Sequence, residues 1–128
     1  MIFEQVATGG CQSYMVGCAE TCAAALIDPA LSQIDHYIAL ASRDGVRIRY
    51  LIDTHTHADH FSATKELARQ LNVPVVMHRR SPAPFVDMRL ADGEMLVVGK
   101  LRLTALHTPG HTADSMCLQV EDRVFTGD

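Results

Sequence analysis

One six-residue stretch, HTHADH at 55–60, restricts the choice of fold more than any other part of this sequence. It holds three of the seven histidines and an aspartate, and it directly follows the apolar segment RIRYLID. In an extended segment His55 and His57 project to the same side, so both imidazoles can bind one metal ion. Asp59 and His60 come where the chain bends into the next helix, and they would face a second point beside the first. The stretch therefore predicts a metal site at the end of a strand.

The donor atoms of this stretch narrow the choice of metal. Imidazole nitrogen and carboxylate oxygen suit zinc, iron or manganese, and the absence of cysteine from the cluster argues against a closed structural zinc site. The alternative interpretation is a solvated polar loop. Random composition seldom produces the pattern H-x-H-x-D-H, so a metal site is the better hypothesis.

Further ligands are expected at other strand ends. In LHTPGHTADS a Pro-Gly turn would present His111 outward, which makes it the better ligand candidate. His107 continues the alternation of inward-facing residues in its strand, so we expect it to point into the sheet and to have a structural or ligand-orienting role. Asp128, at the end of RVFTGD, is a natural third ligand, and its alternative interpretation is an ordinary turn residue. His36 and His78 are interpreted as plain surface residues.

Composition excludes several classes of protein. A chain of 128 residues fits one domain, 1–128. The 11 basic and 15 acidic residues give a net charge of -4 without a basic stripe, which argues against a nucleic-acid partner. No segment approaches the roughly 20 apolar residues of a membrane span, and no leader is recognisable, so we expect no membrane partner and a cytoplasmic location.

The four cysteines, at 11, 18, 22 and 117, form no C-x-x-C pair and no dense framework. We expect reduced thiols that are small buried residues. A redox pair of Cys18 and Cys22 is the alternative.

Hydrophobic periodicity predicts an α/β (α+β) fold with two sheets and helices packed outside them. Ser32 with Asp35 resembles a capping box that starts a helix, and Gly45 ends it. A second helix is expected over 62–71 and a surface loop over 78–94. The predicted strands are 2–8, 12–17, 23–28, 46–53, 74–77, 95–99, 100–107, 115–121 and 123–128.

Four motifs together carry a resemblance to a known family. LIDP, DTHTHADH, LHTPGHT and FTGD occur in the order and at the spacing of the metallo-β-lactamase superfamily, which this chain resembles along its whole length. The resemblance implies an αβ/βα sandwich with metals at one edge of two facing sheets. In binuclear members the positions that match His55, His57 and His111 hold one metal, those that match Asp59 and His60 hold another, and that of Asp128 bridges them.

Differences between these motifs and those of each enzyme group indicate which branch of the superfamily the chain resembles. True β-lactamases usually lack the histidine at His60. Glyoxalase II enzymes typically read DPG where this chain has DPA (28–30), and HxHxDHxGG where it has HTHADHFSA. Sulfur dioxygenases of the ETHE1 type look closer, through LIDPA, HADH, ADGE and FTGD.

This resemblance implies one Fe(II) per chain, held by the equivalents of His55, His111 and Asp128, and oxidation of glutathione persulfide to sulfite and glutathione. Two histidines and one carboxylate leave iron positions open for substrate sulfur and O₂. His57, Asp59 and His60 would then be the catalytic residues that orient ligands and hold water or protons. The alternative is a glyoxalase II type hydrolase with two Zn(II), in which all six residues bind metal and a shared water attacks a thioester.

The resemblance also implies more chain beyond Asp128, including the rest of the second sheet. We therefore expect a piece of a longer protein, which can be inactive on its own. If the chain does end there, its last strand leaves an open edge that favours a homodimer or aggregation.

Overall fold

Two β-sheets and two helices make up the part of the chain that the computed structural model describes, residues 1–8, 12–56, 62–110 and 112–126. The helices are α1 (Ile34–Asp44), which follows a 3-10 turn at Leu31–Gln33, and α2 (Thr64–Leu71). The strands are β1 (Ile2–Ala7), β2 (Gln12–Cys18), β3 (Ala23–Ile27), β4 (Arg47–Ile52), β5 (Val75–His78), β6 (Met88–Leu90), β7 (Met95–Val98), β8 (Leu101–His107), β9 (Met116–Val120) and β10 (Arg123–Phe125). Nine of them match the predicted strands, and both predicted helices are present.

The sheets differ in strand direction. The first has the order β1-β2-β3-β4-β5-β6, antiparallel up to β3 and parallel from β3 to β6. The second is antiparallel, with the order β10-β9-β8-β7. Because the carboxyl ends of parallel strands meet at one edge, β3, β4, β5 and β6 all deliver the residues that follow them to the same place.

Apolar side chains fill the space on both faces of the first sheet. On the inner face Ile52 packs in a cluster with Leu103 and Leu118 of the second sheet. On the outer face Leu51 packs in another cluster with Leu67 of α2. Leu51 and Ile52, which are neighbours in β4, thus point to opposite faces and both are buried, whereas the first half of the strand alternates between exposed arginines and buried or half-buried residues.

The helix ends correct one prediction and confirm another. Gln33, not Ser32, occupies the N-cap position of α1 and no side chain caps it, so the predicted capping box is wrong. Gly45 ends the helix as predicted: it adopts φ 67°, and its amide donates to the carbonyls of Ala41 and Ser42.

Three further predictions need correction. The segment 78–94 is not all loop, because β6 pairs in parallel with β5 there; three residues among prolines and turn residues are too few to show a period. His78 is buried rather than on the surface, whereas His36 is exposed as expected. Cys18 is buried as expected, but Cys22 is exposed.

No helix within the described ranges is long and apolar enough to cross a membrane.

Candidate metal site

His55 is the predicted ligand that the structure describes. It follows β4 at the edge where the parallel strands end, and its side chain is 3% exposed. The other predicted metal-site and catalytic residues, His57, Asp59, His60, His111 and Asp128, lie outside the described residues. Among the described residues no three histidine, cysteine or acidic side chains come together as a metal cluster. The site is therefore defined here by what surrounds these positions.

A chain of hydrogen bonds selects the tautomer of His55. The Thr54 hydroxyl donates to Asp28 Oδ2 at 2.7 Å, and the Thr54 amide donates to Asp28 Oδ1 at 2.7 Å. Thr54 Oγ1 lies 3.0 Å from His55 Nδ1. Since the hydroxyl proton is already directed at Asp28, the oxygen is available to accept the Nδ1 proton. This tautomer makes Nε2 the basic nitrogen, as a metal ligand requires, so His55 fits a metal.

Asp28, which accepts both hydrogen bonds from Thr54, has an unusual backbone conformation. Its φ is 54°, in the left-handed region that aspartate tolerates better than most residues. Its amide donates to the Ile52 carbonyl at 2.7 Å, which ties the end of β3 to the end of β4. The carboxylate is 1% exposed. Strain of this kind concentrates at functional sites, because the surrounding structure must hold it in place.

A second buried carboxylate joins the two ends of the histidine turn. Asp53 accepts hydrogen bonds from the hydroxyls of Ser62 (2.9 and 3.0 Å) and Thr64 (2.9 Å). The Ala63 amide donates to the Pro29 carbonyl at 2.8 Å. Residues on both sides of 57–61 are therefore held against the same sheet edge.

A third buried carboxylate connects the two predicted ligand loops. Asp114 accepts from the amide of Thr56 at 3.2 Å and from its hydroxyl at 2.7 Å, and it also accepts from the Thr112 hydroxyl. Burial raises the pKa of Asp114, but the hydrogen bonds from Thr112 and Thr56 outweigh burial and hold the pKa below its usual range. Asp114 thus ties the residue after His55 to the residue after His111.

Two imidazoles close the same edge between the sheets. The rings of His78 and His107 stack with centroids 4.0 Å apart and planes 10° apart. His78 Nδ1 accepts from the Arg80 amide at 3.1 Å, and His107 Nε2 lies 3.0 Å from the Ala113 carbonyl. His107 is half-buried and contacts the first sheet through His78, and its structural or ligand-orienting role stays a prediction.

Sequence reasoning missed the three buried carboxylates, Asp28, Asp53 and Asp114. Asp28 and Asp53 each directly follow an apolar strand, and an aspartate in that position could have been identified from the sequence. Asp114 carries no such signal, because its partner Thr56 is 58 residues away.

The comparisons with known proteins agree with this architecture. A sequence profile described as "Metallo-beta-lactamase superfamily" matches residues 6–128. The chain belongs to the metallo-β-lactamase superfamily. The predicted family and the predicted fold class are thereby confirmed, and members of this superfamily bind metal ions.

The curated relatives include enzymes of two classes. The hydroxyacylglutathione hydrolase of Anaeromyxobacter dehalogenans is 41% identical over 106 residues, covering 82% of this chain and 41% of that protein. The human mitochondrial persulfide dioxygenase ETHE1 is 33% identical over 119 residues, covering 91% and 46%. The chain spans about half the length of the curated relatives it matches.

A solved structure of the same superfamily superposes on nearly the whole chain. The crystal structure of ETHE1 from Myxococcus xanthus matches with a TM-score of 0.95 and 34% identity, covering 98% of this chain and 56% of that one.

Proposed function

We propose that this protein is a non-haem iron dioxygenase that oxidises glutathione persulfide to sulfite and glutathione. The similarity to the Myxococcus xanthus ETHE1 structure, with a TM-score of 0.95 over 98% of the chain, is the observation that carries the proposal. The overall reaction consumes one O₂ and one water per persulfide, the outer sulfur is oxidised, and the thiol leaves. The substrate is accordingly a small-molecule persulfide.

In this proposal His55, His111 and Asp128 hold one Fe(II) per chain. When bound, such iron offers open positions for the substrate sulfur and O₂. The contribution of His55 follows from its neighbours: Asp28 and Thr54 fix its tautomer and its ring orientation before any metal arrives.

The catalytic residues in this proposal are His57, Asp59 and His60. They would orient the ligands and hold water or a proton near the substrate. Asp53 and Ser62 support this role, because their hydrogen bonds hold the two ends of the segment that carries these residues.

The alternative is a binuclear zinc hydrolase of the glyoxalase II type, acting on S-acylglutathione. The 41% identity to the Anaeromyxobacter dehalogenans hydrolase favours it. All six predicted residues would then hold two Zn(II), and the metals would lower the pKa of a shared water that attacks the thioester.

Metal content and activity separate the two functions. Protein purified without oxygen is analysed by plasma mass spectrometry and then tested for O₂ uptake with glutathione persulfide. The dioxygenase predicts about one iron per chain and O₂ uptake. About two zinc ions per chain, with thioester hydrolysis and no O₂ uptake, would overturn the proposal in favour of the hydrolase.

Matched variants sharpen this test. For the dioxygenase, His55→Ala abolishes iron binding, whereas Asp59→Ala and His60→Ala retain iron and lose activity. For the hydrolase, Asp59→Ala and His60→Ala lower the metal count themselves, because both residues bind the second ion.

A further inference from the structure

The Cys18 thiol lies in a group of hydrogen-bond donors. Cys18 is the last residue of β2, and its sulfur accepts hydrogen bonds from the Thr21 hydroxyl and from the backbone amides of Lys100, Thr21 and Glu20. These bonds stabilise the thiolate and lower the pKa of Cys18 to about 7. The residue is 5% exposed, and it belongs to the buried cluster between the two sheets.

The turn between β7 and β8 packs directly on this thiol. Gly99 adopts φ +62°, and a Cβ at this position would overlap the Thr21 hydroxyl and lie 2.9 Å from Cys18 Cβ. Next to it, the Lys100 ammonium pairs with Glu20. The sulfur therefore lies where turns of the two sheets meet. Since β3 runs from this turn towards Asp28, the thiol is at the end of the sheet opposite the candidate metal site.

A second thiol lies on the same short turn. The Cys22 amide donates to the Cys18 carbonyl at 2.8 Å, which closes the turn between β2 and β3. Cys22 is exposed, and its sulfur lies 3.7 Å from the Ala19 carbonyl. A covered thiol and an accessible thiol are thus held within one turn of chain.

We propose that Cys18 and Cys22 are a redox-active pair that a hydroperoxide converts to a disulfide. The Cys18 thiolate attacks the peroxide, so that its sulfur is oxidised to a sulfenic acid and hydroxide or alkoxide leaves. The Cys22 sulfur then attacks the Cys18 sulfur, the S–S bond forms, and the sulfenic oxygen leaves as water. This pair acts independently of the reaction at the metal site.

The disulfide has a structural consequence. A Cys18 sulfur bonded to Cys22 no longer offers a thiolate to the Lys100 amide, so one of the contacts between the two turns is weakened. The ring contains only the residues from 18 to 22, and its Cys22 end is exposed, so a reductant can reach the disulfide, as a reversible modification requires.

Proteolysis tests the pair directly, because Glu20 lies between the two cysteines. Cleavage after glutamate separates peptides 5–20 and 21–66, and only a disulfide holds them together. After treatment with hydrogen peroxide and blocking of free thiols, mass spectrometry should detect the joined peptides in the wild-type chain. They should be absent from Cys18→Ser and Cys22→Ser, and present in the control variants Cys11→Ser and Cys117→Ser. Absence of the joined peptides from the oxidised wild-type chain, or their persistence in Cys18→Ser, overturns the proposal.

A second variant tests the role of the donors. In a Cys22→Ser background, the sulfenic acid at Cys18 is trapped with a cyclic 1,3-diketone and its rate of formation is measured near pH 6.5. Thr21→Val removes the hydroxyl donor and should slow the reaction roughly fivefold, while Thr21→Ser retains it. Equal rates in the two variants would contradict the assignment of Cys18 as the attacking thiol.

Discussion

At the scale of single residues, buried carboxylates define the candidate site before any metal is considered. Asp28, Asp53 and Asp114 are each 3% exposed or less, and each accepts hydrogen bonds from threonine or serine. A buried charge of this kind is retained only when donors satisfy it. Their donors flank the predicted ligands, so these aspartates act as positioning residues.

Thr54→Val tests the hydrogen-bond chain to His55. Valine has nearly the same shape but cannot accept the Nδ1 proton, so the imidazole loses its preferred tautomer. We expect about a 10- to 100-fold loss of metal affinity, measured by competition with a chelator. Thr104→Val on β8 is the control and should bind metal normally. Unchanged affinity in Thr54→Val would contradict the role of this chain of hydrogen bonds.

Asp114→Asn tests the connection between the two ligand loops. Asparagine keeps the shape but loses the charge that strengthens the bonds from Thr56 and Thr112. We expect the free energy of unfolding to fall by about 2 kcal/mol in a denaturant titration, with weaker metal binding. The exposed Asp122 provides the control: Asp122→Asn should change neither quantity, and an equal loss in both variants would refute the prediction.

At the scale of elements, both helices end through a residue in the left-handed conformation. Gly45 closes α1 and Asn72 closes α2, each with its amide bonded to a carbonyl of the last turn. The chain then enters β4 or β5, and His55 follows the far end of β4 while His78 is the last residue of β5. Helix termination therefore sets the point at which each strand begins.

Gly45 offers a clean test of this termination. A Cβ added there meets nothing within 4 Å, so the cost of substitution is conformational rather than steric. Gly45→Ala should lower the free energy of unfolding by about 1 kcal/mol. Gly45→Asn should cost less, since asparagine tolerates this conformation. Thermal unfolding of the two variants distinguishes them, and an equal cost would exclude the backbone explanation.

At the scale of the whole molecule, the candidate site lies where the two sheets meet at one edge. The Met116 amide of the second sheet donates to the Thr54 carbonyl of the first at 2.8 Å. The stacked rings of His78 and His107 make a second contact between the same sheets. Changes at this edge therefore affect the packing of one sheet on the other.

The pH dependence of stability follows from this edge. Burial lowers the pKa of His78 from its usual 6.5, and His107, Arg80 and Arg79 lower it further against the opposing effect of Asp114. The unfolded chain therefore binds more protons than the folded chain below pH 6.5. The free energy of unfolding should fall as the pH drops from 6.5 towards the lowered pKa of His78.

Denaturant titrations between pH 7.5 and about 5 measure this dependence. His78→Asn removes the titrating group but keeps an acceptor for the Arg80 amide, so the slope with pH should decrease. The exposed His36 serves as control, and His36→Asn should keep the slope of the wild type. A slope that is the same in all three proteins would rule out His78 as its source.

The sequence by itself determined the family, nine of the ten described strands, both helices and the position of His55 at a strand end. These features depend on short-range patterns: alternation in β4, helical spacing before Gly45, and the local motif at 55–60. Only the tertiary structure decided the burial of His78, the existence of β6, and the partners of Asp28 and Asp114. Each of these depends on residues far apart in the chain, as between Asp28 and Thr54 or Asp114 and Thr56, which meet only because the parallel strands and the second sheet end at one edge.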